Sequence, residues 1–555
     1  MTHGRGFPIT RRLSHMANHG NGTRTPRTPR NPRNPRNPRT AHGTTRGTGT
    51  GELARWGVFL GVAIALSALV WIGWALVQHR SVVPGLGGDT SSNESVTIGL
   101  TGVPDSLDIR TASGAQSDRL SRVLIGNVYE TLLDVDDENR ITGGLASKWE
   151  TSADGRTLTL TMRSGLTFAN GDTLDSTDAV WSIQQAVEGK WPDADAKFKR
   201  LASVTNPDPT TVVITLSEPD PTLTRTLTGR LGIVYDADAN VNYATQTAGS
   251  GPFAVDSFKD GVMTLKARSG GGAKVGTVTF RYFADDDTLM KQADFGGLDM
   301  ILPDFASAAD HLAGDSSFVT VYGASTRKVT LLYNNDADSI LSDVQARQAM
   351  RLMLDKAALA NGRKQDVEQV LGGPIGPLEP GYENLTSILP YDSAKGRSMM
   401  SYFSSGYVGT LKLVTTAAYT SLAQAIAAQY QTAGVAVDVE TVDATQLDQR
   451  AQSRDFQLML TELDGEDGSA IFATPDSTPH YTNADAQSQY AAAAGAANET
   501  DYANGLKTYA RTVSEDAASD WLYTKRNAVV ARETLNGYPA QLTDTRLPLK
   551  DLALS

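Results

Sequence analysis

The sequence predicts a mixed α/β protein of several domains that follows a disordered N-terminal tail and one transmembrane helix. The chain has 555 residues, which is too long for one hydrophobic core and favours two to four domains. After residue 96, segments with the two-residue period of strands are mixed with segments of helical spacing. A hydrophobic content of 40% and a charged content of 20% are typical of a folded globular protein.

Residues 1–55 are predicted to be a disordered, arginine-rich tail. They contain 11 Arg, no Lys and one acidic residue, and tandem Thr-Pro-Arg and Asn-Pro-Arg triplets fill residues 25–39. Proline at every third position blocks helices and sheet ladders, which favours an extended, polyproline-like chain. The tail either binds anionic lipid or nucleic acid or is a solvated low-complexity segment, and a start at Met16 would shorten it.

Residues 56–77 are predicted to form the transmembrane helix. This run of 22 residues has no charged side chain, and it is long enough to cross roughly 30 Å of hydrocarbon. Because the arginine excess precedes it, the positive-inside rule places the N-terminus in the cytoplasm and the folded body outside the membrane. A cleaved signal peptide is the alternative, but the run is long for one and no small-x-small cleavage site follows. Residues 78–94 are predicted to be a linker.

The composition of the body excludes several classes of chemistry and of partner. Residues 56–555 hold 39 basic and 61 acidic side chains, a net charge of −22, so nucleic acid is not expected to bind there. The chain has no cysteine, which excludes disulfides, thiolate metal sites and cysteine nucleophiles.

No motif of the body indicates an enzyme, a metal site or a cofactor. Only His311 and His480 lie beyond the tail and the anchor, and each has polar neighbours. The motifs of zinc proteases, serine hydrolases and phosphate-binding loops do not occur. Residues 134–139 (DVDDEN) lack the glycine and the glutamate of a calcium loop and predict a hairpin turn. Residues 270–276 (GGGAKVG) predict a turn between strands. We therefore expect no enzymatic activity and no cofactor.

Local patterns predict the elements along the body. The alternating segments that predict strands are residues 95–100 and 157–163. The segments with helical spacing are residues 343–360 and 421–434. The turn signals are Asp154-Gly155 and Asn170-Gly171. A helix is predicted to begin near Ser176 and Asp178, which can cap its free N–H groups. The side chains predicted to form the local core are Trp149, Phe168, Val180 and Trp181.

Residues 127–183 (NVYETLLDVDDENRITGGLASKWETSADGRTLTLTMRSGLTFANGDTLDSTDAVWSI) resemble the family 5 extracellular solute-binding proteins of ABC importers. That group binds oligopeptides, dipeptides and nickel. Its usual run is a Tyr-Glu-Gly-Leu helix end, a Leu-Ala-x-x-Trp strand, an Asp-Gly turn, a Leu-Arg-x-Gly strand, an Asp/Asn-Gly turn and a helix start. Further segments similar to the family are residues 103–109, 247–258, 293–301 and 331–359. The resemblance covers about 450 residues, from 95 to 550.

The resemblance implies a two-lobed, periplasmic-binding-protein-like fold of type II with an extra domain. Lobe I is expected from residues 95–140, 231–324 and 516–555, with domain II at 141–230 and lobe III at 325–515. In this architecture the ligand is enclosed in a cleft as the lobes close about a hinge.

The same resemblance implies that two glycine-containing loops bind the ligand through their backbone. These loops contain Gly114, Ala115 and Gln116 in one case and Gly249, Ser250 and Gly251 in the other. The lack of side chains in the second loop allows close backbone approach, although a plain turn is the alternative interpretation.

Peptide-binding members of the family pair the peptide's amino terminus with an acidic residue in a Trp-x-x-Asp-Tyr-x-x-Pro-like segment. Residues 461–472 (TELDGEDGSAIF) stand at that place, with Leu463 in place of the tryptophan and no proline. Asp464, Glu466 and Asp467 keep the negative charge, and Asp467 is the first choice as partner of an amine.

Arg450 resembles an arginine that can bind a peptide carboxylate in a charge-assisted pair. The alternative interpretation is that Arg450 and Arg454 are surface charges at a helix end.

The function implied by the resemblance is that of a membrane-anchored, extracytoplasmic substrate-binding protein of an ABC importer. Its expected partners are a peptide or other small solute, an ABC permease, and membrane lipid around the N-terminal helix. A related ligand sensor without a transport role is the alternative, and an extracytoplasmic enzyme is a third possibility.

Overall fold

The structure of the protein, a computed structural model, describes residues 92–403 and 408–555. The predicted tail and transmembrane helix lie outside these residues, as does nearly all of the predicted linker. In the described part of the chain, no helix combines the length and the apolar composition needed to cross a membrane.

Strands and helices are mixed throughout the described residues. The strands are β1 (Ser92–Thr101), β2 (Leu133–Val135), β3 (Ile141–Gly143), β4 (Ala146–Thr151), β5 (Thr157–Met162), β6 (Leu201–Asp208), β7 (Thr211–Leu216), β8 (Phe253–Lys259), β9 (Val262–Ala267), β10 (Val275–Phe283), β11 (Met300–Leu302), β12 (Phe318–Tyr333), β13 (Val367–Val370), β14 (Thr410–Thr416), β15 (Ala436–Val442), β16 (Leu458–Asp464), β17 (Ser519–Arg532), β18 (Leu535–Asn536) and β19 (Ala553–Leu554). The helices are α1 (Gly114–Leu124), α2 (Ser176–Glu188), α3 (Ala194–Lys197), α4 (Leu223–Thr226), α5 (Asp286–Asp294), α6 (Val344–Met353), α7 (Lys356–Asn361), α8 (Ser393–Met400), α9 (Thr420–Thr432), α10 (Ala444–Ser453), α11 (Gly465–Ala470), α12 (Ala484–Ala494) and α13 (Glu499–Glu515).

One long mixed sheet runs through the molecule, in the order β15-β14-β16-β12-β17-β11-β1-β10-β9-β8, with β13 also paired to β17. Its middle is the antiparallel pair β12–β17, whose two strands are 16 and 14 residues long. On either side of this pair the sheet contains parallel neighbours, β1 with β10 and β14 with β15. A separate four-stranded antiparallel sheet has the order β4-β5-β7-β6.

Three hydrophobic regions define an N-terminal lobe, a small domain and a C-terminal lobe. The N-terminal lobe is built on buried residues between Val96 and Leu302 together with Val529–Leu552. The small domain is built on buried residues 132–234, which lie on the four-stranded sheet and α2. The C-terminal lobe is built on buried residues 329–523. The domain limits predicted from the sequence stay a prediction, because the described residues form one compact unit and one sheet passes through both lobes.

Several predicted elements are confirmed. The alternating segments form β1 and β5, and residues 421–434 lie almost wholly in α9. The predicted helix at residues 343–360 is instead two helices, α6 and α7. The break occurs because the Asp355 side chain accepts a hydrogen bond from the Ala358 amide at 2.9 Å and so caps a new helix.

Helix α2 begins at Ser176, as predicted, but the residue before Ser176 is the N-cap. Asp175, not Ser176, is the N-cap, and its side chain accepts a bond from the Thr177 amide at 2.7 Å. Asp178 completes the capping box, since its side chain accepts from the Asp175 amide at 3.0 Å. Both carboxylates therefore stabilise the first turn of the helix.

The predicted turns are confirmed. Residues 134–139 lie in the β2–β3 hairpin, and residues 270–274 lie between β9 and β10, with residues 275–276 at the start of β10. Gly155 in the β4–β5 turn and Gly171 have φ values of 68° and 95°, which glycine adopts without strain.

The predicted local core is confirmed only in part. Phe168 and Val180 are buried in the small domain, and Trp149 packs against the same core. Trp181, on α2, packs against the core of the N-terminal lobe instead. A helix that lies between two cores buries side chains on more than one face, which a local pattern does not reveal.

The β12–β17 pair changes register between Ala324 and Lys328. Ser325 donates a hydrogen bond to the Lys525 carbonyl at 2.7 Å, and the Thr326 amide donates to the Thr543 carbonyl at 2.9 Å. Such an irregularity bends a strand and re-aims its side chains. Here it directs Thr326 and Arg327 toward the region between the lobes.

Charged side chains are buried next to this irregularity. Lys328 is fully buried on β12, and its Nζ atom lies 2.5 Å from Glu379 Oε1. The same ammonium donates to the Gly465 carbonyl at 2.8 Å and lies 3.2 Å from Ser469 Oγ. A buried charge is tolerated only when it is paired and hydrogen-bonded, and this ammonium meets both conditions.

A second group of charged side chains, Glu462, Lys525 and Arg327, lies on β16, β17 and β12. Lys525 Nζ lies 2.7 Å from Glu462 Oε1, Arg327 Nη1 lies 3.5 Å from Glu462 Oε2, and Tyr419 donates its hydroxyl hydrogen to Glu462. Burial raises the pKa of Glu462, but the cations of Lys525 and Arg327 outweigh burial and hold this pKa at about 2.

Replacing Glu462 with Gln should lower the free energy of unfolding near neutral pH by on the order of 2 kcal/mol, because two cations lose their carboxylate. A depressed pKa stabilises the fold above the unfolded-chain value of 4.5, and this stabilisation is lost as the pH falls toward about 2. The difference between wild type and E462Q should therefore shrink across that range, which urea unfolding at a series of pH values measures.

The control for this experiment is Glu138→Gln, since Glu138 and its partner Arg140 are both well exposed. That variant should change the free energy of unfolding by less than about 1 kcal/mol. A difference between E462Q and wild type that does not vary between pH 4.5 and pH 2 would contradict the ionic role of Glu462.

Candidate functional site

The central cleft, a cavity of about 450 Å³, lies where the small domain faces the C-terminal lobe, and it is bordered also by the N-terminal lobe. The acidic side chains among its lining residues are Asp118, Asp193, Asp464, Glu466, Asp467 and Asp544. The basic ones are Lys197, Arg225 and Arg230. This excess of carboxylates favours a ligand that carries positive charge.

Another cavity, of about 460 Å³, lies between the β4–β5 turn and residues 497–500. Its charged lining residues are Asp220 and Glu499, and the rest are apolar or neutral. We regard the central cleft as the candidate site because it gathers charged groups from three parts of the fold, which a specific ligand pocket requires.

The acidic segment, residues 464–467, is held in place by hydrogen bonds from two buried side chains, Lys328 and Tyr509. Asp464 ends β16 and Gly465 begins α11. The Gly465 carbonyl accepts a bond from Lys328, and the Ser469 carbonyl accepts one from the Tyr509 hydroxyl at 2.7 Å. These bonds fix the first turn of α11 against the C-terminal lobe.

Glu466 and Asp467 are already paired with cations of the small domain. Glu466 Oε1 lies 3.4 Å from Arg225 Nε, and Glu466 also accepts a bond from the Tyr502 hydroxyl at 2.7 Å. Asp467 pairs with Lys197, and the Asp467 side chain is 75% exposed. The first-choice residue from the sequence is thus at the rim of the cleft, with a partner from the protein itself.

Asp464 has a different environment. Its Oδ1 atom accepts a hydrogen bond from the Thr326 hydroxyl at 2.6 Å. No Lys, Arg or His nitrogen of the described residues lies within 4.0 Å of its carboxylate. Asp464 therefore offers negative charge in the cleft that a cationic ligand can use.

Asp118, on α1, brings a further carboxylate to the cleft from the N-terminal lobe. Burial raises its pKa, the Arg327 charge opposes this, and the nearby Asp464 charge adds to it. The Arg327 charge already acts on both Asp118 and Asp464, and a further cation bound beside them would relieve the repulsion that remains between the two carboxylates.

The loop at residues 114–116 lies outside the central cleft. Gly114 has a φ of 52° and begins α1. The side-chain amide of Gln116 donates a hydrogen bond to Asp105 Oδ2 at 2.7 Å and so closes the preceding loop. Ala115 lines a smaller, adjoining cavity that also contains Asp118. The loop thus contributes to the start of the helix and to the adjoining cavity.

Gly249, Ser250 and Gly251 are buried within the N-terminal lobe and do not line the central cleft. A Cβ atom on Gly249 would lie 1.9 Å from the Val128 carbonyl oxygen, and one on Gly251 would lie 2.4 Å from that of Asn127. Close packing against residues 127–128 therefore explains why glycine is required here.

Arg450 and Leu463 also lie away from the cleft lining. Arg450 pairs with Glu440 at 2.5 Å and with Asp455, at the end of α10. Leu463 packs against the core of the C-terminal lobe. Of the eleven residues predicted from the sequence, the structure brings together three in the central cleft, namely Asp464, Glu466 and Asp467.

Sequence reasoning missed the residues that complete the cleft. Lys197 and Asp467 are 270 positions apart, so no local pattern connects them. Arg225 and Asp118 lie on helices whose spacing gives no sign that they face another lobe. In the part of the chain that the structure describes, no group of three or more His, Asp and Glu side chains is placed to hold a metal ion.

Comparisons with known proteins agree with this architecture. The family model of bacterial extracellular solute-binding proteins, family 5 (middle), matches residues 140–505. A Brucella ovis protein named as an ABC transporter peptide-binding protein is 24% identical over 442 residues, which cover 74% of this chain and 80% of that protein.

Solved structures show the same fold. The crystal structure of the ABC transporter substrate-binding protein CtaP from Listeria monocytogenes has a TM-score of 0.73 at 19% identity, covering 83% of this chain and 99% of that one. The oligopeptide-binding protein AppA from Bacillus subtilis, in complex with a nonapeptide, has a TM-score of 0.65 at 18% identity, covering 83% and 99%.

These matches confirm the resemblance seen in the sequence and the two-lobed α/β fold that it implied. The family model covers more than half of the chain, from the β2–β3 hairpin into α13. The chain belongs to the bacterial extracellular solute-binding proteins of family 5.

Proposed function

We propose that this protein is the membrane-anchored substrate-binding protein of an ABC importer, and that it captures a peptide or related small solute in the central cleft for delivery to the permease. The observation that carries the proposal is the acidic cleft between the small domain and the C-terminal lobe, in a chain of this family. The uncharged run at residues 56–77 supports the anchor.

Two carboxylates of the cleft are suited to bind a solute's ammonium group. Asp464 and Asp118 face the same cleft, and neither has a Lys, Arg or His partner within 4.0 Å among the described residues. An ammonium that leaves water for a closing cleft needs such a partner, because an unpaired charge there is costly. The amine of a peptide fits this requirement.

The pairs Lys197–Asp467 and Arg225–Glu466 join the small domain to the C-terminal lobe across the cleft. Arg225 is itself held by Asn139, whose side-chain and main-chain oxygens accept its N–H groups at 3.0 and 2.8 Å. Asp467 is well exposed, and an exposed ion pair such as Lys197–Asp467 contributes only about 0–1 kcal/mol. This contact is therefore easily reversed, as capture and release require.

A ligand sensor would use the same cleft, so the cleft does not distinguish sensing from import. The genes beside this one do: a permease and an ATPase favour import, and a kinase or regulator favours sensing.

Replacing Asp464 with Asn should weaken the binding of peptides with a free amino terminus by about 1.5–3 kcal/mol, the range for a hydrogen bond to a charged group. N-acetylation of the peptide should weaken binding to the wild type by a similar amount and have little further effect in D464N. Isothermal titration with tri- to pentapeptides, each in free and acetylated form, measures these changes.

The matched control is Asp467→Asn, three residues away in the same segment but at the exposed rim with Lys197 as partner. This variant should change affinity by less than about 1 kcal/mol. If D467N weakens binding and D464N does not, the amine lies at the rim and the assignment of Asp464 is wrong. If no peptide binds to the wild type, the peptide part of the proposed function is wrong.

The anchor has a separate test. Fractionation of cells that produce the full chain should recover it in the membrane, and the protein should be released by detergent but not by high salt, because an uncharged span of this length inserts into lipid. Deletion of residues 56–77 is the control, and the cell-associated part of the shortened protein should no longer be recovered in the membrane fraction. A mature protein in the medium that begins after about residue 80 would contradict the anchor.

A further inference from the structure

A second polar cavity adjoins the central cleft, and Asp118 lines both. We call it the arginine cavity. It has a volume of about 190 Å³ and lies between β1, α1 and the bend of β12. Its charged lining residues are Arg119, Arg122, Arg327, Asp118 and Asp304. Three guanidinium groups thus face a space large enough for a small polar group.

Two of the three guanidinium groups have no carboxylate partner. Arg327 lies 3.5 Å from Glu462, outside the cavity lining. Within residues 92–403 and 408–555, no carboxylate oxygen lies within 4.0 Å of Arg119 or Arg122. Arg119 donates only to the Val103 carbonyl, at 3.3 Å. Asp118 and Arg122 are four residues apart on one helix, a spacing that allows pairing, and still do not pair.

The charge of Arg122 is poorly compensated. Burial lowers the pKa of its guanidinium and the neighbouring Arg327 charge lowers it further, and together these two effects outweigh the opposite effect of Asp304, Asp118 and Glu462. For Arg327 the balance is opposite, since Glu462, Asp464 and Asp118 outweigh burial and raise its pKa. An anion in the cavity would give Arg122 the compensation that Arg327 already has.

The cavity also contains an unused hydrogen-bond donor. The hydroxyl of Tyr282 is buried and has no hydrogen-bond partner among the described residues. Buried hydroxyl groups are usually bonded, so this one can donate to a water or to a ligand that enters the cavity. An oxyanion can accept from a tyrosine hydroxyl and from guanidinium groups at the same time.

Gly102 makes the position of Arg119 possible. Its φ is 71°, and a Cβ atom there would lie 2.6 Å from Arg119 Nε. Any side chain at this position would therefore displace the guanidinium from the cavity wall.

We propose that the arginine cavity binds an oxyanion of the captured solute, a carboxylate or a phosphate, through Arg119, Arg122 and Tyr282. The proposal rests on the proposed function, because it treats the cavity as an extension of the central cleft. A solute whose ammonium lies between Asp464 and Asp118 has its negative group within reach of the arginines, since Asp118 borders both spaces. The binding site thus selects solutes that carry both charges, and Arg122, rather than Arg450, receives the negative one.

The test compares wild type, Arg122→Gln and the control Arg450→Gln as full-length chains. Arg450 is a matched control because it is an arginine near a helix end that pairs with Glu440 and Asp455 away from both cavities. The probes are tetra-alanine, its C-terminal amide and inorganic phosphate alone, with binding followed by isothermal titration and by the melting temperature.

In the wild type, tetra-alanine should bind at least about tenfold more tightly than its amide, which corresponds to one charged hydrogen bond. R122Q should remove this preference and weaken tetra-alanine at least about tenfold, and it should leave the amide unchanged. R450Q should keep the preference. Without ligand, R122Q should melt no lower than wild type, because Arg122 is half-buried beside the Arg327 charge and no carboxylate oxygen of the described residues lies within 4.0 Å of it.

Equal binding of tetra-alanine and its amide to the wild type, together with no stabilisation by phosphate, would overturn the oxyanion site and leave the proposed function standing. If neither peptide binds but phosphate raises the melting temperature of wild type and not of R122Q, the oxyanion site stands and the peptide part of the proposed function fails. A lower melting temperature of ligand-free R122Q with an unchanged preference would show that Arg122 is structural, and would also overturn the site.

Discussion

The candidate site depends on one buried ion pair, between Lys328 on β12 and Glu379. Both side chains are almost completely buried, and the Lys328 ammonium also donates to the first carbonyl of α11. Loss of one partner of such a pair typically costs 3–5 kcal/mol, because the other is left as an uncompensated charge. The pair therefore fixes the acidic segment to a strand that runs into both lobes, and the position of the carboxylates of this segment in the cleft follows from it.

The carboxylates of the site fall into two groups, those already paired with a cation of the protein and those that are not. Lys197 and Arg225 neutralise Asp467 and Glu466 from across the cleft, so these carboxylates hold the small domain against the C-terminal lobe. Asp464 remains available to a cationic group. On the other side of Asp118, Arg119 and Arg122, which have no carboxylate within 4.0 Å among the described residues, offer the opposite charge. One acidic residue thus stands between a space suited to a cation and a space suited to an anion.

The sequence predicted the fold well because most of its signals are local or depend on the order of motifs. Turns such as Asp154-Gly155 and strands such as β5 follow from short patterns, and the order of motifs indicated the family. The site was predicted only at the acidic segment, where the charges are adjacent in the chain. The assignment of Gly249 to the ligand stays a prediction, because glycine serves close packing as well as ligand approach. Lys197 and Arg225 could not be found, because their partners are distant in sequence.

The central role of the Lys328–Glu379 pair is tested most directly by amide hydrogen exchange of residues 464–470 in the double variant Lys328→Met, Glu379→Met. Replacing a buried ion pair by apolar side chains is often neutral for overall stability, so the global free energy of unfolding should change by less than about 2 kcal/mol. The acidic segment loses its bond to Lys328, so its exchange should accelerate by at least about tenfold, while that of β5 in the small domain should not change. Unchanged exchange at residues 464–470 in a folded double variant would contradict the central role of the pair.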